Sequence, residues 1–327
     1  TMTTLMGGQA SHAVTLAEGA TLSLDYSKEM TASHKAVIDL DKNRSVSLDN
    51  DTFIDQIGGD GKVSHISGLL RGDTHITLSQ SLQEDITLNL FANNNDVLIG
   101  KGLVDIAIDN VSETNRIDYS ALKNRLEFDL SSAIGRVNRF DGSTAQRDET
   151  LKNVSYIIGN DANGNIYKGS NAYDVTFETG RGYGNTLIET EGNHTYLTQG
   201  YGIKYDASTL DAGIDFKYVG TSGTVQKGGT VTTLSGEDKD NPYSKSAIND
   251  VQGTNFDDNF VINVDNRDGV QSLFSLVTGG GKNTVQIDSY GLYNINVGSA
   301  VHNKPDNAHN TLALSSRDLD AGMGDAI

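Results

Sequence analysis

At 327 residues the chain is long enough for two ordinary domains or one elongated one, and its 36 Gly against 2 Pro leave most turns to Gly, Asn and Asp. A net charge of -18 argues against nucleic acid, whose phosphates demand Lys and Arg, and against docking on anionic lipid. With 0 Cys the chain has no disulfides, thiolate metal sites or cysteine nucleophiles, and no apolar run reaches the length of a membrane span.

In chain order the sequence predicts short strands and little else. Apolar and polar residues alternate with period two in ATLSLDY (20–26), HITLSQS (75–81), DITLNLF (85–91), RLEFDLS (125–131), DVTFET (174–179), NTLIET (185–190), NFVINV (259–264) and NTVQID (283–288). Turns such as GGDG, NDANGN and GGGKN separate them. Only DYSALKNRLEF (118–128) has room for a helical turn.

An internal repeat organises these strands. LDYSKEMTASHKAVIDL (24–40), IDYSALKNRLEFDL (117–130) and IKYDASTLDAGIDF (203–216) align on Tyr26, Tyr119 and Tyr205, which stand 93 and 86 residues apart. Each copy continues through an apolar-acid-apolar strand, then a turn, then a closing turn and strand: NNNDVLIG, GYGNTLIE and GGGKNTVQI. This layout gives units at 1–112, 113–199 and 200–300, with 301–327 starting a further unit or forming a tail. About three diverged tandem units of short strands predict an all-β fold, a parallel β-solenoid of the β-helix or β-roll kind, whose inward residues bury against the next coil. A string of antiparallel β-sandwiches is the alternative architecture.

The stretch FANNNDVLIGKGLVDIAI (91–108) resembles haemolysin-type (RTX) proteins, whose nonapeptides follow G-G-x-G-x-D-x-U-x, with U a large apolar residue. Asp96 and Asp105 stand nine residues apart, Leu98 and Ala107 take the apolar positions, and Gly100 begins the second nonapeptide. Asp174 holds the acid position near Phe177, and GTNFDDNFVI keeps Asp257 and Asp258. Asn185 and Asn283 replace the acid in other turns. Asp118-Tyr119-Ser120 through Gly159 is similar to a linker that often precedes such turns. The resemblance implies that turn carbonyls and these aspartates (Asp96, Asp105, Asp174, Asp257, Asp258) give oxygen ligands to Ca2+. No run is an intact tandem of the nonapeptide, and each Asp→Asn change gives up a charge. Asn side chains can instead bond one another and cap a turn without metal. The expectation is a largely metal-independent solenoid that keeps one or two weak calcium sites.

Motifs for other chemistry fail. TGGGKNT is no phosphate loop, because Leu276 stands where the first Gly belongs and Asn283 follows the Lys. No HExxH or GxSxG occurs, and His65 and His75 lack zinc spacing. The RGD at Arg71–Asp73 reads as a turn entering a strand. Lys204, Asp206 and Asp215 are of the types used by polysaccharide lyases on parallel β-helices, yet their spacing singles out no catalytic set. Acidic, cysteine-free, Gly/Asn/Asp-rich chains are common among large proteins exported by Gram-negative bacteria, and no signal peptide is legible near Thr1. We therefore expect a non-catalytic segment of a larger, secreted RTX-like toxin that recognises a cell-surface receptor or glycan outside the cell. An adhesin segment, or a polysaccharide-active enzyme or its carbohydrate-binding module, is the alternative.

Overall fold

The computed structural model describes residues 2–7, 10–28, 34–236, 248–264, 273–289, 292–298 and 310–314. Most of the expected tail, 301–309 and 315–327, lies outside the described residues. Among the described residues the chain is all-β, with no helix, and it divides into two compact units. The first comprises Thr1–Asp161 with Val175–Phe177, and the second Ala162–Asp174 with Glu178–Ile327. All eight predicted strand runs are strands, and the stretch expected to hold a helical turn carries only a Leu122 N–H to Tyr119 carbonyl bond.

In each unit successive strands alternate between two long, mostly parallel sheets. In the first unit Met2–Met6, Thr21–Asp25, Lys62–Ser67, Ile86–Leu90 and Val104–Ile108 pair in parallel. The strands between them, Asp73–Thr77, Asn95–Leu98, Arg116–Asp118 and Tyr156–Ile158, form the second sheet, also in parallel. The second unit repeats the scheme, with Ile166–Lys168, Thr186–Ile188, Ile203–Asp206 and Ile248–Gln252 in one sheet. Asn259–Asn263, Thr284–Ile287 and Thr311–Leu314 lie in the other. Partners in an uninterrupted stretch lie about twenty residues apart, as Val97 with Ile117 and Tyr167 with Leu187. Period-two alternation turns one set of side chains inward: Ile86, Leu88 and Leu90, then Val104, Ile106 and Ile108, are all buried. Aromatic rings extend this core. Tyr119 meets Phe128 edge-on at 5.0 Å, and Phe216 lies 5.4 Å from Tyr205 and 6.1 Å from Phe260.

Three antiparallel meanders interrupt the parallel order. They are Lys35–Asp39, Ser45–Leu48 and Phe53–Gly59; Arg125–Asp129, Gly135–Asp141 and Glu149–Lys152; and Asp215–Val219, Ser222–Lys227 and Thr230–Gly236. In the first, the opening strand pairs with the later Asp73–Thr77, and the closing strand pairs with the earlier His12–Leu16. The third does the same with Asn259–Asn263 and Thr195–Thr198. The chain thus runs ahead by two strand positions and fills in behind itself. Each meander opens with one of the apolar-acid-apolar segments of the sequence repeat.

The repeat also has a local cause. Asp25, Asp118, Asp129 and Asp206 each end a strand and accept the N–H of the serine two residues on, at 2.7–3.0 Å. The residue between, Tyr26, Tyr119, Leu130 or Ala207, is fully buried. In the third copy Ala207, not Tyr205, therefore occupies the place of Tyr26 and Tyr119, and the tyrosine alignment is out by two residues there.

Adjacent turns touch through their backbones. Lys101 N–H donates to the Ser79 carbonyl at 2.8 Å, and Gly184 N–H to the Tyr201 carbonyl at 3.1 Å. A Cβ on Gly102 would lie 1.8 Å from the Glu84 carbonyl oxygen, so the side chain is excluded by the neighbouring turn rather than by the local backbone angle. Gly142 is the contrast: its φ is +62° but nothing lies within 4 Å of an added Cβ. We expect Gly102→Ala to cost about 3 kcal/mol or more, by overpacking against backbone that cannot move alone. Gly142→Ala should cost about 1 kcal/mol, the ordinary penalty of a left-handed residue. Urea denaturation of the two variants measures this; equal costs would contradict the close stacking of turns.

Candidate functional site

The stretch Phe91–Gly102 supplies a turn, the strand Asn95–Leu98 and the start of the next turn. Asn95, buried at the strand start, accepts Thr74 N–H at 3.2 Å and donates to the Asn115 side chain at 2.7 Å. Asp96 points to the exposed side, where its carboxylate meets His75 Nδ1 at 3.0 Å across paired strands. Sequence spacing alone gave His75 no acid partner. Asp105 accepts Thr150 N–H at 2.9 Å and the Arg147 guanidinium at 3.2 Å.

The other aspartates are engaged in the same manner. Asp174 accepts Asn193 N–H at 3.0 Å, and Asp257 accepts Lys282 N–H at 2.7 Å. Asp258 is buried and takes three donors: Ile214 N–H at 2.9 Å, Thr254 N–H at 2.8 Å and the Thr254 hydroxyl at 2.7 Å. Its own N–H donates to Asn283 Oδ1 at 2.9 Å, and Asn283 N–H donates to Asn310 Oδ1 at 3.0 Å. A ladder of side-chain oxygens therefore caps backbone N–H groups from turn to turn. Burial pushes the Asp258 carboxyl above its usual range, against the pull of those three donors. Of the five aspartates only Asp257 and Asp258 are neighbours. Among the described residues no three His, Asp or Glu side chains gather as a metal centre. Calcium takes roughly six to eight oxygens around one point. The expected sites draw on turn carbonyls as well, and here Asp96, Asp105, Asp174, Asp257 and Asp258 each meet partners within the protein.

Buried ion pairs lie elsewhere, at the meanders. Arg139, on the middle strand of the second meander, is 2 % exposed and uses all five N–H groups. They donate to Glu149 Oε2 at 2.8 Å and Oε1 at 2.7 Å, and to the carbonyls of Gly100, Lys101 and Gly102 at 2.9, 3.2 and 2.8 Å. Glu149 Oε1 also accepts Val104 N–H at 2.8 Å. Three donating groups and no acceptor face this carboxylate, so the site is built for its charged form, although burial leaves it easier to protonate than a carboxyl in water. Lys227, ending the middle strand of the third meander, donates to Glu189 Oε1 at 2.8 Å and to the Thr190 and Gly192 carbonyls at 2.7 Å each. Arg44, just before the middle strand of the first, reaches Glu84 at 2.9 Å and the Gly61 carbonyl at 3.1 Å.

Around Glu189 the buried network is widest. Tyr205 donates its hydroxyl to Glu189, and Thr190 N–H does so at 3.1 Å. His194 Nε2 lies 2.9 Å from the Thr190 hydroxyl, which itself donates to the Ser170 carbonyl at 3.1 Å. Burial holds the His194 pKa below its ordinary value despite the Glu189 carboxylate.

None of this composes an acid–base set open to substrate. Lys204 and Asp206 pair with each other at 3.2 Å on one strand, and Asp215 lies exposed on a strand of the other sheet. The RGD aspartate opens the strand Asp73–Thr77, as a turn-into-strand reading requires. The exposed surface offers a different feature. Tyr183 and Tyr201, on stacked turns of the second unit, are 55 % and 59 % exposed with ring centroids 5.0 Å apart. The Tyr183 ring lies over Gly202, where a Cβ would come within 2.3 Å of it. Compared with known proteins, the chain matches no family model and no curated sequence.

Two outcomes are expected here. The Tyr119 hydroxyl is buried with no hydrogen-bond partner, so Tyr119→Phe should leave stability unchanged or raise it by up to about 1 kcal/mol, whereas Tyr205→Phe should cost about 1.5–3 kcal/mol by uncapping Glu189. Chemical denaturation ranks the pair, and a larger loss for Tyr119→Phe would contradict the assignment. Below the ordinary histidine pKa of 6.5 the unfolded chain takes up a proton at His194 that the folded chain resists. His194 therefore lowers stability as pH falls from 6.5 toward its folded value. Denaturation midpoints at neutral and mildly acidic pH should show a smaller acid loss in His194→Gln than in the parent.

Proposed function

We propose that the chain is a non-catalytic parallel β-solenoid module, resembling a β-roll, within a larger secreted bacterial protein of RTX-like toxin type, and that it serves recognition of a cell-surface receptor or glycan. The observation that carries the architecture is that, outside the three meanders, short strands alternate between two sheets and pair in parallel with strands about twenty residues on. A coil with two strands per turn produces that pairing.

The observation that supports recognition is the Tyr183–Tyr201 pair. Two tyrosines held side by side on stacked turns, exposed by more than half, present rigid apolar faces with hydroxyls at their rims. That is the chemistry by which proteins grip pyranose rings and partner side chains, and little side-chain entropy is lost on contact. Lys204, Asp206 and Asp215 do not converge, so the geometry favours binding over turnover.

The experiment is binding of the fluorescently labelled chain to a glycan array and to intact host cells, with the Tyr183→Ala and Tyr201→Ala variants beside it. Each variant should weaken binding about tenfold or more, the loss of an aromatic anchor, with the unfolding midpoint unchanged. Binding that survives both substitutions would remove this surface from the reading. Release of sugar from a polysaccharide by the parent chain would overturn the non-catalytic assignment.

A further inference from the structure

We infer that the chain's own Arg and Lys side chains take, at its glycine turns, the place that an RTX-like roll gives to calcium. Arg139 collects five oxygens: three successive turn carbonyls, Gly100, Lys101 and Gly102, and both carboxylate oxygens of Glu149. Lys227 collects the carbonyls of Thr190 and Gly192 and one oxygen of Glu189. Turn carbonyls plus a carboxylate are the hard, oxygen-only donors that calcium prefers. Here each set surrounds a covalently attached cation.

The topology gives a reason for a cation at these turns. Along the regular stretches turn carbonyls are met by N–H groups of an adjacent turn, as Ser79 by Lys101 and Tyr201 by Gly184, or by side-chain amides, as Leu69 by Asn93 and Leu122 by Asn160. At a meander the neighbouring strand is entered through an antiparallel hairpin instead. Glu149–Lys152 lies beside Val104–Ile108, and the hairpin before Glu149 replaces the turn that would otherwise cover residues 99–103. Thr230–Gly236 lies beside Thr195–Thr198 in the same relation to the turn at 189–194. In the first meander the cation lies at the other end: Arg44, one residue before Ser45–Leu48, donates to the Gly61 carbonyl just after the closing strand Phe53–Gly59. Each reversal carries a cation: Arg139 and Lys227 on the middle strands of the second and third meanders, and Arg44 one residue before the middle strand of the first. The buried Glu beside each cation balances the charge, with Glu149 and Glu189 both at 0 % exposure and Glu84 at 3 %.

It follows that folding requires no divalent ion. The test uses the whole chain, stripped with EDTA, with circular dichroism and thermal unfolding recorded in EDTA and in millimolar CaCl2, and calcium uptake followed by calorimetry. The expected result is a folded β protein with the same midpoint in both buffers and no saturable uptake. Arg139→Met and Lys227→Met should each lower the midpoint by roughly 5–15 °C in both buffers, because each strands a buried carboxylate and turn carbonyls. Adding Glu149→Gln to Arg139→Met should recover part of that loss. An EDTA-stripped chain that is unfolded and regains β structure with calcium would overturn the inference, as would Arg139→Met and Lys227→Met variants with the parent's midpoint. Where Arg139→Met does not fold, the parent's response to EDTA and calcium decides the matter alone. Loss of surface binding in the tyrosine variants is a separate readout, so the two readings fail independently.

Discussion

The constraint on which the structure depends is that every buried backbone group at a turn must find a partner in the turn beside it. Strands satisfy their own N–H and carbonyl groups through the sheets. Turns have no such ladder, and they recur about every ten residues. In this chain they are joined by backbone bonds such as Lys101 to Ser79, and by side-chain oxygens such as Asn95, Asn185, Asp258, Asn283 and Asn310 that cap the N–H of a neighbouring layer. The abundance of Gly and Asn follows from this requirement. Gly allows two turns to approach within contact of each other's carbonyls, as at Gly100, Gly102 and Gly279, and Asn supplies an acceptor and a donor from one short side chain.

The meanders break the rule locally, and buried charge restores it. An unpaired carbonyl in the interior costs about 1–3 kcal/mol of desolvation, and three in one turn multiply that cost. A guanidinium is suited to the repair because its five donors lie in a plane and need no water. Arg139 uses every one of them. The first site is less complete, since Arg44 Nε and Glu84 Oε2 are buried without partners.

Much of the fold was legible in the sequence because its period-two alternation is strong. Thr21–Asp25, Ile86–Leu90 and Thr284–Ile287 fall where the pattern places them. The repeat was legible too, though its third copy slips by two residues because Ala207 replaces a tyrosine as the buried residue after the strand-ending Asp. The antiparallel meanders were not legible, since alternation is blind to strand direction. The buried cations had a signal that alternation does carry: Arg139 is in phase with Val137, Lys227 with Val225, and Glu149 with Leu151, all facing inward. A charge in phase with apolar residues is a buried charge seeking a partner. The aspartates at 96, 105, 174 and 257 sit near glycine turns and serve as caps and surface pairs.

The meanders also bear on the order of events as the chain collapses. Nearly every other strand pairing joins residues about twenty or more apart, and closing such a loop costs chain entropy before any contact rewards it. Ser222–Lys227 finds both of its neighbours within a few residues, on either side. Each meander is therefore the cheapest piece of sheet to make early. Once made, it offers two open edges facing opposite ways, one matched to chain already synthesised and one to chain still to come. In the second unit these are the edges that receive Thr195–Thr198 and Asn259–Asn263. The interruption of the parallel order thus sets a locally closed piece of sheet between partners drawn from both directions along the chain.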